Sequence, residues 1–177
     1  LHEAYLNWST PPQTGPGAVQ MGPIMDWIEA NVAEDAIFTN GAGNYATWLH
    51  RFHRFRHFGT QAAPTSGSMG YGLPAAVGAK KLHPDRDVIC FAGDGCFMMH
   101  GQEFATAVRY NLPIITLVIN NGIYGTIRMH QEREYPGRVS ATDLTNPDFA
   151  ALARAYGGHG ETVEKTGDFA AAFERAR

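Results

Sequence analysis

Val88-Ile89-Cys90-Phe91-Ala92-Gly93-Asp94-Gly95 is an apolar run that breaks directly into a Gly-Asp-Gly turn. Its length and β-branched, apolar content read as a short buried strand. A second such run, Pro113 to Ile119, ends in Asn120-Asn121. In a parallel sheet both turns lie at the carboxyl ends of the strands, the edge where open α/β sheets bind ligands. A carboxylate and a carboxamide converging there supply hard oxygen ligands of the kind Mg²⁺ or Ca²⁺ prefers. Gly95 lets the backbone come close to a phosphate, and a helix after it points free N–H groups the same way. The pair reads as a metal–diphosphate site. Taken singly, each turn is an ordinary strand end, since Asp, Asn and Gly dominate turns.

Strand and helix signals alternate outward from this stretch. Helices are expected over 24–32, 43–50, 69–82, 102–110, 124–131, 147–156 and 168–177, with Asn146 as a cap for the sixth. Strands are expected over 36–39, 88–92 and 114–119, and a short one over 160–164. Residues 132–145 read as a polar loop, and 51–59 carry no clear pattern. The alternation predicts an α/β fold, a parallel sheet with helices on both faces. Residues 1–21 are rich in Pro, Gly, Thr and Gln and read as a linker or the tail of a preceding domain, with the domain itself over 22–177.

The 177 residues suffice for one domain with a sizeable core. A net charge of −3 gives no global attraction to nucleic acid or to an anionic membrane surface. No stretch has the apolar length of a membrane span. Cys90 and Cys96 make no disulfide framework, and Cys90 falls in a buried strand, so a reduced, cytoplasmic compartment is expected. The chain opens on Leu1 and stops on a helical pattern, and it reads as a fragment cut at both ends.

Gly93-Asp94-Gly95 followed, after residues 96–119, by Asn120-Asn121 resembles the diphosphate-binding motif of thiamine diphosphate enzymes. The resemblance extends through Ser66-Gly67-Ser68-Met69-Gly70-Tyr71-Gly72, Gln102 to Pro113 and Asn120-Asn121-Gly122-Ile123-Tyr124-Gly125. It is greatest to the acetolactate synthase and 2-keto-acid decarboxylase group and implies the thiamine diphosphate-binding fold. It also implies that Asp94, Asn121 and the main-chain carbonyl of Ile123 hold Mg²⁺ against the cofactor's phosphates. Gly95 and Cys96 would donate backbone N–H groups to phosphate, with Gly93 and Tyr124 in the same cofactor-binding set. Met69 matches the apolar wedge between the two cofactor rings, and the Gly67 carbonyl matches the acceptor for the aminopyrimidine. Asn44 and Tyr45 fall on the far side of the diphosphate, where related acetolactate synthases commonly carry Gln and His. Cys96 stands where the family often has Ser, and His130 where acetolactate synthases commonly have Trp.

Other patterns point elsewhere. Gly41-Ala42-Gly43-Asn44-Tyr45-Ala46 fits the dinucleotide fingerprint G-x-G-x-x-A. That fingerprint also needs an acidic residue about 20 positions on, and none lies between His50 and Ser68. Arg51-Phe52-His53-Arg54-Phe55-Arg56-His57-Phe58 mixes basic and aromatic residues as single-strand binders do, but in a net acidic chain it reads as a charged rim over packed rings. His50 and His53 share a helical spacing without a further His/Cys cluster for zinc. Hydrolase and P-loop signatures are absent.

The resemblance thus implies 2-keto-acid chemistry in the parent protein, of an acetolactate synthase-like transferase that decarboxylates and ligates. A benzoylformate decarboxylase-like lyase is the alternative. From a different class, a non-catalytic α/β binding module or a nicotinamide dinucleotide-binding domain is the competing reading. No residue here matches the family's activating Glu. That Glu is expected in a pyrimidine-binding domain of the same or another subunit, within a homodimer or homotetramer. No catalytic residue is therefore expected in this chain, and the fragment alone should be inactive.

Overall fold

The computed structural model describes residues 1–177. In chain order the elements are α1 (His2–Ser9), α2 (Met21–Asn31), β1 (Ile37–Asn40), α3 (Ala46–Phe52), β2 (Gln61–Ala62), α4 (Gly72–Leu82) and β3 (Val88–Gly93). Then come α5 (Asp94–His100), α6 (Glu103–Arg109), β4 (Ile115–Ile119), α7 (Gly125–Glu134), α8 (Phe149–Ala155) and α9 (Phe169–Ala176). The strands form one parallel sheet in the order β2-β1-β3-β4.

β3 is central. It pairs with β1, Asn40 opposite Phe91, and with β4, Gly93 opposite Ile119. Every residue of β3 is buried, as a strand covered on both faces requires. Alternate side chains divide between two cores. Ile89 and Phe91 join Phe38, Ile115 and the apolar stripes of α2, α3 and α9. Val88, Cys90 and Ala92 join Ile37, Leu73, Ala76 and Phe97 beneath α4 and α5, with Phe104 and Phe149 packed against them. Helices cover both faces, as the alternation of signals predicts.

Several elements differ from expectation. α4 starts at Gly72 rather than Met69, because Gly67 and Gly70 hold positive φ, 66° and 83°, which an α-helix does not admit. β2 lies just after the stretch without pattern, where no element is expected; it is two residues long and paired only with β1. Residues 1–21 contain α1 and pack on the rest of the chain. Arg51 Nε donates to the Trp8 carbonyl, and the backbone N–H of Gln20 donates to Thr166 Oγ1 at 2.7 Å. No strand forms over 160–164. Gly160 presses against the Ala150 carbonyl, and its own carbonyl accepts from Arg154. Its backbone is thereby committed to α8 rather than to a ladder. α8 is capped by Asp148, whose carboxylate accepts from the Ala151 N–H at 2.9 Å, not by Asn146.

The basic–aromatic segment is the expected rim over packed rings as far as Arg56, but Phe58 at its end is exposed. Phe52 and Phe55 pack into the core, while Arg56 bridges Glu29 and Glu34. No helix is long and apolar enough to cross a membrane.

Phe91 is fully buried at the middle of the central strand. Phe91→Ala is expected to lower the unfolding free energy by about 3–5 kcal/mol, read from urea denaturation; a change below about 1 kcal/mol would contradict this core.

Candidate diphosphate and metal site

Three strand ends converge on one edge. β1 ends in Asn40 and turns through Gly41, β3 ends in Gly93 and turns into Asp94, and β4 ends in Ile119 before Asn120. The turn at β3 is tight because two glycines admit two rings. A β-carbon on Gly93 would stand 2.7 Å from the Tyr45 ring, and one on Gly95 would stand 2.5 Å from the Tyr124 ring. Both lie well inside van der Waals contact, so only glycine fits between these tyrosines and the turn.

Asp94 is buried, and its carboxylate is held by three donors. Oδ1 accepts from the Gly95 N–H at 2.9 Å. Oδ2 accepts from the Gly122 N–H at 2.8 Å and from Asn146 Nδ2 at 2.7 Å. Such bonds offset the cost of taking a carboxylate out of water. Asn121 folds its own loop, with Oδ1 accepting from the Ile123 N–H at 3.2 Å. Gly122 takes φ 70° to make that turn.

The segment 142–146 completes the edge. Ile123 and Asp143 form an antiparallel bridge. Around it, the Tyr124 N–H donates to the Thr142 carbonyl and the Leu144 N–H to the Gly122 carbonyl, both at 2.8 Å. The expected polar loop is thus partly a strand-like return that brings Asn146 to Asp94. Sequence reading offered Asn146 only as a helix cap; Asn followed by Pro147-Asp148 gives no local sign that the cap is Asp148 instead.

Tyr45 and Cys96 meet on the other flank. The Tyr45 hydroxyl accepts from the Gly41 N–H at 3.0 Å, and Cys96 Sγ donates to the Ala42 carbonyl at 3.0 Å. Burial, with the Cys96 thiol next in effect, pushes the Tyr45 phenol well above its usual value, so it stays neutral. Asn44 is engaged by Thr126. Its N–H donates to Thr126 Oγ1 at 3.1 Å, and Thr126 Oγ1 donates to Asn44 Oδ1 at 2.9 Å. This reciprocal pair ties the loop after β1 to the start of α7. Thr126 has no sequence signal that would single it out.

Gly67 and Met69 stand on the adjoining loop. Met69 lines an open groove of about 490 Å³ with Ser68, Gly70, Tyr71 and His100. Gly41 approaches this loop closely, since a β-carbon there would lie 3.3 Å from the Gly70 backbone nitrogen.

The remaining motifs do not assemble into sites. His50 Nε2 lies 3.0 Å from Asn40 Oδ1, whereas His53 Nδ1 lies 3.0 Å from Glu29 Oε2, so the two histidines face different partners. Burial lowers the pKa of each. No three His, Cys, Asp or Glu side chains are grouped to hold a metal. In the loop after β1, the Gly41 N–H that a dinucleotide phosphate would use is taken by Tyr45.

Residues 41–177 match the family model described as "Thiamine pyrophosphate enzyme, C-terminal TPP binding domain". The chain belongs to this family. It is 41% identical over 135 residues to an acetolactate synthase large subunit of Parasynechococcus marenigrum, covering 75% of this chain and 22% of that protein. It is 39% identical over 144 residues to the acetolactate synthase isozyme 2 large subunit of Escherichia coli, covering 79% of this chain and 26% of that protein. Among solved structures, a thiamine diphosphate-dependent 4-hydroxybenzoylformate decarboxylase from Rhodococcus jostii superposes with a TM-score of 0.85 at 32% identity, over 93% of this chain and 32% of that one. The chain spans about a quarter of the length of the curated relatives it matches.

The residues of this thiamine pyrophosphate-binding domain fit the group its family implies. Asp94, the Asn121 amide and the Ile123 carbonyl, the groups the resemblance assigns to the metal, offer oxygen only, which would suit a hard divalent cation and not zinc. The Asn121 oxygen accepts from the Ile123 N–H and the Ile123 carbonyl from the Gly125 N–H. Gly93 and Gly95 leave a cradle beside it without β-carbons.

Two predictions follow from the flank around Tyr45 and the clasp. Burial pushes the fully buried Cys90 thiol from 9.0 up to about 12 and raises Tyr45 as well. Both are neutral in the fold and ionise earlier in the unfolded chain, so their contribution is complete below pH 9 and is lost as pH rises toward 12. Urea midpoints measured from pH 8 upward should therefore fall above pH 9 by an amount that Cys90→Ala reduces. Thr126→Val removes both bonds to Asn44 and is expected to weaken cofactor binding by about 10-fold, near the cost of one or two hydrogen bonds. Thr126→Ser should restore it, and equal affinities in all three proteins would sink this account of the clasp.

Proposed function

We propose that this chain is the diphosphate- and Mg²⁺-binding domain of a thiamine diphosphate-dependent enzyme acting on 2-keto acids. The reaction is acetolactate synthase-like: decarboxylation of one 2-keto acid and ligation of the remainder to an acceptor. The observation that carries this reading is the buried Asp94 carboxylate at the carboxyl edge of the sheet, held by donors from two loops beside the cradle of Gly93 and Gly95. The acetolactate synthase relatives support the choice of ligation.

In this reading the domain spans 22–177, and residues 1–21 lead in from a preceding one. Asp94, Asn121 and the Ile123 carbonyl hold Mg²⁺. Cys96 offers its backbone N–H to the phosphates, whose charge suits a helix start; the expected Gly95 N–H is instead taken by Asp94 Oδ1. Tyr45 and Tyr124 wall the phosphate slot, Asn44 closes its far side, and Met69 and Gly67 set the position of the cofactor rings. Bound thiamine diphosphate supplies the carbon nucleophile and the electron sink for decarboxylation. The chain's own residues bind, orient and shield; Tyr45 remains a neutral donor and acceptor throughout. The activating Glu belongs to a pyrimidine-binding domain of the same or another subunit, so the working unit is a homodimer or homotetramer in the cytoplasm.

A decarboxylase-like lyase is the second reading. It is favoured by His130, which is exposed and 2.8 Å from Arg133, at a place where acetolactate synthases commonly present Trp. In the full-length protein, calorimetry with thiamine diphosphate and Mg²⁺ should give metal-dependent binding. Asp94→Ala should weaken it by more than the ~10–100-fold that loss of a ligand's hydrogen-bond partner costs. Undiminished binding in Asp94→Ala would overturn the site. Product analysis with pyruvate separates the two chemistries: a ligated acetohydroxy acid supports the first, free aldehyde alone the second.

A further inference from the structure

We propose that Asn146 is a positioning residue that makes Asp94 a single-oxygen metal ligand, through Oδ1, and thereby favours Mg²⁺ over Ca²⁺; this rests on the metal site proposed above.

The argument is a count of lone pairs. Asn146 Nδ2 carries two hydrogens and finds two acceptors, Asp94 Oδ2 at 2.7 Å and Asn120 Oδ1 at 2.9 Å. The Gly122 N–H faces the same two oxygens, at 2.8 Å and 3.2 Å. Asp94 Oδ2 therefore accepts twice and has no lone pair left for a cation. Oδ1 accepts only from the Gly95 N–H and keeps one. With both neighbours of its amide being acceptors, Asn146 must present nitrogen and not oxygen. The side chain is delivered by backbone rather than by chance, because the bonds from Tyr124 to Thr142 and from Leu144 to Gly122 fix the strand-like return just before it. Its neighbour Asp148 caps α8 and makes no bond to Asp94.

Mg²⁺ demands near-octahedral geometry, whereas Ca²⁺ tolerates a carboxylate binding through both oxygens. Freeing Oδ2 should therefore harm the smaller ion selectively. Loss of fold, by contrast, would harm both ions alike.

The test titrates Mg²⁺ and Ca²⁺ into the full-length protein at saturating thiamine diphosphate, by calorimetry, with unfolding midpoints measured in parallel. Asn146→Ala is expected to raise the Mg²⁺ Kd about 10–100-fold. The Ca²⁺ Kd should change less, so that the Mg²⁺ preference falls by at least about 10-fold. Asn146→Leu, similar in size and without a donor, carries the same expectation should the alanine variant not fold. Asp148→Ala should lower the unfolding midpoint and leave the metal preference as it is. An unchanged preference in the Asn146 variants, or an equal shift in Asp148→Ala, overturns the proposal. Failure of the underlying site is seen separately: the unmodified protein would bind no metal, or Asp94→Ala would bind it as well.

Discussion

Everything at the carboxyl edge depends on β3 being paired on both sides and covered on both faces. Pairing with β1 and β4 fixes where each neighbouring strand ends, and burial on both faces forbids a slip by one residue, which would exchange the two cores. The loops after Asn40, Gly93 and Ile119 therefore open beside one another. The close packing of rings against Gly93 and Gly95 is affordable only on such a rigid edge.

Asp94 shows how this frame is turned into chemistry. A buried carboxylate is costly unless hydrogen-bonded. Here the donors come from its own helix start, from the turn after β4 and from the return at 142–146. The carboxylate is in effect the point at which three separately encoded segments are required to meet. The flank with Tyr45, Cys96, Asn44 and Thr126 is built in the same way, from groups that satisfy each other across the slot.

The frame was legible in the sequence because its signals are local. The runs at 88–92 and 114–119 are apolar enough to need burial, and Gly-Asp-Gly and Asn-Asn mark their ends. Gly93, Asp94, Gly95, Cys96, Tyr45 and Tyr124 stand beside one another at that edge. Met69 falls on the neighbouring loop, in its own groove. What escaped has its cause far along the chain. Gln61-Ala62 is a strand only because β1 has a free edge. Asn146 and Asp148 are equally good caps by type, and tertiary contact with Asp94 alone decides between them. Gly160 to Glu164 has strand-like residues but no partner strand, and α1 sits where composition suggests only a loop.

The separation of Asp94 from Asn146 along the chain also bears on how the molecule folds. The two residues lie 52 positions apart, and Gly122 lies 28 positions from Asp94. Closing the larger loop costs more chain entropy and rewards it later. β3 and β4 can zip, and α5 can wind, while the carboxylate at their junction still faces water. Only when the return at 142–146 docks is it sealed. Sealing of Asp94 thus needs two closures beyond the pairing of β3 itself, and release of the second alone re-exposes the carboxylate to water.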